Sequence, residues 1–166
     1  MTRPQVDMDI VDSRWRDADI DTVAARAIGA ALDLLGMGAQ PTEVSILACD
    51  DARMADLNTA FRSKPAPTNV LSWPEEDLAS DDGAPPRLPT ADPDGTVSLG
   101  DIAIAYDTCA READLQGKPF DHHVTHLLVH GLLHLLGYDH IRGADAARME
   151  ALEVKILGNL GIPDPY

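Results

Sequence analysis

Three histidines in the run HGLLHLLGYDH, residues 130–140, have the types and the spacing of a metal centre. His130 and His134 are four residues apart, so on a helix they share one face and can grip one ion. Gly137 can take the left-handed conformation that commonly ends a helix. Tyr138 and Asp139 then carry the chain round and return His140 toward the other two. Three imidazoles that leave one coordination position for water describe a catalytic zinc ion, one per chain; a closed structural site normally has four protein ligands, often cysteines. Cys49 and Cys109 are remote from this run. Three imidazoles also accept nickel, copper or cobalt, so the ligand set alone does not choose the metal.

The spacing His-x-x-x-His-x-x-Gly-x-x-His is also the ligand skeleton of the metzincin proteases, which carry a general-base glutamate directly after the first histidine. Gly131 stands there instead, which argues against peptide hydrolysis by that route. His126 lies one helical step upstream of His130, where it would support the ligands from behind or pack against them. His122 and His123 near the helix start read as solvated surface residues. Asp139, between Gly137 and His140, is close to the metal whatever its role; it could orient a ligand, take a proton from bound water, or simply be a turn residue. Asp101, beside Gly100 in SLGDIAIA, could orient a ligand histidine from behind or be an edge-strand charge. Gly100 within a strand marks a bulge or a close backbone approach.

The segment FRSKPAPTNVLSWP, residues 61–74, offers a second set of candidates. Arg62 could hold a phosphate through two parallel hydrogen bonds. By position alone it is more simply a cation at a helix C-terminus. Trp73 is a core residue or a platform for a base, and core is the simpler reading.

The elements that must position these residues follow from periodicity and turn signals. Residues 6–11, 44–49, 69–73 and 97–105 read as strands. Helices are expected over 20–35, over 51–61 with Asp50 or Asp51 as its cap, to about 116 with Asp107 or Thr108 as its cap, from Pro119 to Gly137, and over 144–160. The result is an α/β (α+β) fold, a small mixed sheet of about four strands packed with about five helices. The histidine-bearing helix is central, with Val124, Leu127, Leu128 and Leu135 on its apolar face.

The 166 residues make one domain, 1–166, able to bury a sizeable core. No apolar stretch is long enough for a membrane span, no secretory signal core is visible, and two cysteines make no disulfide framework. A cytoplasmic protein is expected. The formal charge of −15 disfavours nucleic-acid binding unless the charge is segregated. Part of it is: residues 75–94 hold seven acids against one base, Arg87, together with Pro85, Pro86, Pro89 and Pro93. This reads as a solvated loop insertion over about residues 79–96.

HGLLHLLGYDH, FRSKPAPTNVLSWP and SLGDIAIA, with their order and approximate spacing along the chain, resemble the three signature blocks of the YbeY-type bacterial endoribonucleases, the rRNA maturation factors. The resemblance implies a zinc-dependent, single-strand-specific endoribonuclease acting in 16S rRNA 3′-end maturation and late-stage 70S ribosome quality control. It implies zinc on His130, His134 and His140, with Arg62 facing the metal and Arg62 and Lys64 toward the substrate. RNA and the ribosome are the implied partners, with ribosomal protein S11 and the GTPase Era; neither DNA nor a membrane is expected. The chain departs from the family pattern in its longer acidic loop, in Trp73 where phenylalanine is common, and in lacking the acid that often follows Lys64. Three other functions fit the same residues: a metalloprotease-like hydrolase, a hydrolase of small phosphoesters, and a non-catalytic ribosome-assembly factor with structural zinc.

Overall fold

The computed structural model describes residues 4–62, 68–80, 84–139 and 143–166, with side chains at all of these except Phe61 and Arg62. In chain order the elements are β1 (Gln5–Ile10), α1 (Arg14–Asp17), α2 (Ile20–Leu34), β2 (Thr42–Cys49), α3 (Asp51–Arg62), β3 (Val70–Pro74), β4 (Val97–Ala105), α4 (Tyr106–Gln116), α5 (Phe120–Leu135) and α6 (Gly143–Asn159). The strands form one mixed sheet in the order β1-β2-β4-β3. β1, β2 and β4 run parallel, and β3 pairs antiparallel with β4 at one edge. Among the described residues there are six helices, one more than expected, the addition being the four-residue α1. Trp15 anchors it: the ring is fully buried, and its Nε1–H donates to the Cys49 carbonyl at 2.8 Å.

Strand alternation divides the core in two. On one face Val44, Ile46, Ile102 and Ile104 pack with α2, α5 and α6. α5 buries Val124, Leu127, Leu128, Leu132 and Leu135 there, the 3.6-residue stripe of a helix seated on a sheet. On the other face Leu71, Ala103 and Ala105 meet Met54 of α3, with Leu57 and Trp73 at the margin. Trp73 is therefore half-buried and lies on the face away from α5. Among the described residues no helix is long and apolar enough to cross a membrane.

The two helix starts expected to cap themselves behave differently. Asp50 does cap α3, accepting the Arg53 N–H at 2.8 Å. α4 begins after Ala105, and neither Asp107 nor Thr108 is its N-cap residue. Instead the helices cap each other. Asp51 accepts the Thr108 N–H at 2.9 Å, and Asp107 accepts the Asp51 N–H at 3.0 Å. Arg14 adds a 2.8 Å ion pair to Asp107 and, with that backbone bond, holds its carboxyl below the usual range. Partners more than fifty residues apart satisfy these first-turn N–H groups, which a local scan does not find.

Candidate metal centre

α5 delivers His130 and His134 to one face near its C-terminal end, as the four-residue spacing requires. Their Nε2 atoms are 3.1 Å apart. Two nitrogens bound tetrahedrally to zinc at about 2.0–2.1 Å lie roughly 3.3 Å from each other, so the pair is spaced for one shared ion. The helix C-terminus, with its partial negative charge, favours a cation at that end.

A group absent from the sequence reading completes the arrangement. Glu153 of α6 is fully buried, and its Oε1 accepts from His130 Nδ1–H at 2.7 Å and from His126 Nε2–H at 3.2 Å. The Tyr166 hydroxyl donates to Oε2. A carboxylate only accepts, so the proton of neutral His130 sits on Nδ1 and the Nε2 lone pair faces His134. That is the tautomer a metal needs, oriented as histidine ligands usually are, by a carboxylate behind the ring. Burial pushes Glu153 upward, but the hydrogen bonds from His126, His130 and Tyr166 outweigh it and hold its carboxyl at about 2. The sequence did carry a signal. Met149, Glu153, Ile156 and Leu157 form the buried stripe of α6, and a glutamate in such a stripe needs a partner.

Beyond Gly137, whose φ of 96° ends α5, the chain passes through Tyr138 and Asp139. Both line a cleft of about 450 Å³ together with His134, Ser72 and Pro74 of β3, and Leu78. A Cβ on Gly137 would lie 2.8 Å from the Leu78 backbone, so the start of the acidic segment is pressed against the turn. That segment is partly organised: Leu78 is buried, Arg87 N–H donates to its carbonyl at 2.9 Å, and Thr90 N–H donates to Glu76 at 3.0 Å.

The other candidates fall as follows. His126 stands behind the His130–His134 pair through Glu153. Asp139 shares the cleft with His134. His140 and Lys64 lie outside the described residues, as does the side chain of Arg62, whose backbone closes α3. Asp101 does not belong to this site. Ile102 and Ile104 point toward α5, so Asp101 points away from it, into a groove of about 580 Å³ shared with Asp7, Asp9 and Trp73. That groove is larger than the histidine cleft but has no imidazole in its lining. His123 also departs from expectation. It is 4% exposed, and its Nε2 contacts Glu112 at 2.9 Å. Burial, which outweighs the Glu112 bond, lowers its pKa, so it is neutral and donates. Glu112 also accepts from Asn69 at 3.1 Å, tying the start of β3 to α4 and α5.

Gly131 is where packing speaks to chemistry. A Cβ there would stand 3.4 Å from Ile102 and 3.5 Å from Val70, an ordinary contact with no room beyond it. The glutamate of a metzincin would drive a charge into the sheet. Gly131→Ala is expected to hold or raise the melting temperature, since alanine gains up to about 1 kcal/mol of helix propensity over glycine. Gly131→Glu is expected to cost at least ~3 kcal/mol. Thermal melts of the two variants check this; a Gly131→Glu protein that melts with wild type would show that the position opens to the cleft.

Comparison with known proteins places the whole chain in one family. The family model described as Endoribonuclease YbeY matches residues 7–161. The chain belongs to the endoribonuclease YbeY family. It is thus a member of a family of enzymes that hydrolyse RNA phosphodiester bonds. The endoribonuclease YbeY of Ruegeria pomeroyi is 59% identical over 162 residues, covering 97% of each chain. That of Bradyrhizobium diazoefficiens is 45% identical over 166 residues, covering 98% of this chain and 85% of its own. A solution structure of TM1509 from Thermotoga maritima has the same fold, with a TM-score of 0.55 at 16% identity over 95% of this chain and 91% of that one.

Proposed function

We propose that the chain is a zinc-dependent, single-strand-specific endoribonuclease acting in 16S rRNA 3′-end maturation and late-stage 70S ribosome quality control. The observation that carries the metal reading is the 3.1 Å convergence of His130 and His134 Nε2, with Glu153 fixing the tautomer behind it. His130, His134 and His140 would hold one zinc ion. Bound there, zinc would lower the pKa of water from about 15.7 toward 7 and would offset charge on a phosphoryl oxygen. Arg62 grips the scissile phosphate and offsets the charge that develops on it, with Lys64 on the flanking backbone. Asp139, in the cleft with His134, takes up the proton released during attack. Gly131 leaves no general base of the protease type, which sets this site apart from the metzincins.

The net charge of −15 makes unaided capture of RNA slow. Delivery by protein partners on the ribosome, in the cytoplasm, fits that charge. Asp7, Asp9 and Asp101 around the apolar groove of the opposite sheet face suit a basic protein, and the resemblance supplies ribosomal protein S11 and the GTPase Era as partners.

The test is cleavage of a single-stranded RNA carrying the 16S 3′ end by wild type and Arg62→Glu purified in parallel. The variant is expected to lose about 10²–10³ in rate with zinc content unchanged. Equal cleavage by both would identify a contaminant or a dispensable Arg62. Restoration of 16S processing in cells by a catalytically dead variant would favour the assembly-factor function instead.

A further inference from the structure

Glu153 has no exposed surface, yet none of its partners among the described residues is a fixed cation: they are two imidazoles and a phenol. Burying a carboxylate without a compensating charge is costly. Both of its oxygens are nonetheless engaged by donors, one of them from the far end of the chain. Tyr166 is 62% exposed as a residue, but its hydroxyl reaches Glu153 and lies 3.5 Å from His126 Nε2. Its ring stands edge-on to His126, with centroids 5.7 Å apart at 87°. Ile162 packs against the core, and Ile162 and Pro165 wall a cavity beside His126, so this segment is seated rather than trailing.

Given the metal centre proposed above, we propose that Glu153 is its positioning residue and charge partner, and that Tyr166 latches Glu153, so that zinc affinity depends on the docking of residues 160–166. A dication held by His130 would supply, through the ring, the positive charge that Glu153 lacks. The carboxylate in return makes that nitrogen a stronger donor and stops the ring from rotating. Tyr166 holds the second carboxylate oxygen, so Glu153 presents Oε1 to His126 and His130. His126 stands edge-on beside His130, with ring centroids 6.3 Å apart, and donates to the same oxygen.

Zinc dissociation constants, measured by competition with a chromophoric chelator, test this in full-length wild type, Glu153→Gln, Tyr166→Phe and His134→Ala, with the visible spectrum of the cobalt-loaded proteins as a second readout. Glu153→Gln keeps the shape and an acceptor oxygen but removes the charge, and is expected to weaken zinc binding about 10- to 100-fold. Tyr166→Phe lies one step further from the metal and is expected to weaken it roughly threefold, with an altered cobalt spectrum. A merely structural Glu153 would lower the melting temperature while leaving the affinity of the folded protein unchanged, and that result overturns the proposal. If wild type retains zinc no better than His134→Ala, the metal centre itself falls and this inference with it. If wild type binds zinc tightly and both other variants match it, only the inference falls. Should Glu153→Gln fail to fold, Tyr166→Phe decides: unchanged affinity refutes the latch, and weakened affinity supports it.

Discussion

Replacing His134 with alanine is expected to remove zinc and RNA cleavage together, with the rate falling by at least ~10³, more than the loss of a single transition-state hydrogen-bond donor costs. The size of the effect comes from the geometry at the end of α5. His134 contributes one of two imidazole nitrogens that meet at 3.1 Å, and it also lines the cleft that Ser72, Pro74 and Asp139 enclose. Its removal therefore takes a proposed ligand and part of the cleft lining. The side chain is only part-buried and lies in the last turn of α5, so the fold is expected to survive. Zinc content by elemental analysis, a thermal melt and a single-turnover cleavage assay on the same preparation give the three readouts. A folded, zinc-depleted His134→Ala protein that still cleaves at the wild-type rate would refute the metal-dependent mechanism.

Gly100→Ala is expected to produce the largest loss of stability from a single methyl group, about 3 kcal/mol or more. Gly100 sits in β4 with φ 128°, and a Cβ there would come 2.2 Å from the Trp73 carbonyl oxygen and 3.0 Å from the Glu75 nitrogen. Forcing a non-glycine residue into such a conformation costs roughly 1–3 kcal/mol by itself. The overlap comes on top, and because the atoms met are backbone, no side chain can swing aside. Relief requires β3 to pull away from β4 where Trp73 pairs with Asp101 and Pro74 with Gly100. For a chain of this length, about 3 kcal/mol corresponds to a fall in melting temperature of roughly 6–12 °C. Ser72 and Pro74 line the histidine cleft, so cleavage should also fall well below the new melting point. A Gly100→Ala protein that melts within about 2 °C of wild type would show that β3 yields without cost.

Much of this architecture was legible in local patterns. The alternation in β1, the apolar run of β4 and the stripe of α5 each follow from one element burying one face, and the observed elements lie close to the expected ones. Gly100 and Gly137 were readable because only glycine suits a strand crossed closely by another backbone and a left-handed helix stop. The failures at the candidate site and the helix caps depended on contacts between distant segments. Asp101 looked like a companion of the histidines by its place in a motif, but strand parity points it to the other face of the sheet. His123 looked solvated because it lies near a helix start, but Glu112 of α4 meets it in the interior. Asp107 and Thr108 looked like local caps, yet both bond to the start of α3.

By itself the sequence determined the period of each element and the pairing of His130 with His134, because helix geometry depends only on residues a few positions apart. It also excluded the protease base, since Gly131 has no side chain to supply one. Only the tertiary structure decided what stands behind the two histidines. Glu153 lies 23 residues beyond His130, on the next helix, and Tyr166 beyond that helix, and their meeting with His126 and His130 depends on how α6 packs on α5. The same packing sets position 131 against Ile102 and Val70, so a longer side chain there would run into the sheet rather than the cleft. Contacts between distant segments depend on the packing of whole faces, and no spacing along the chain encodes that.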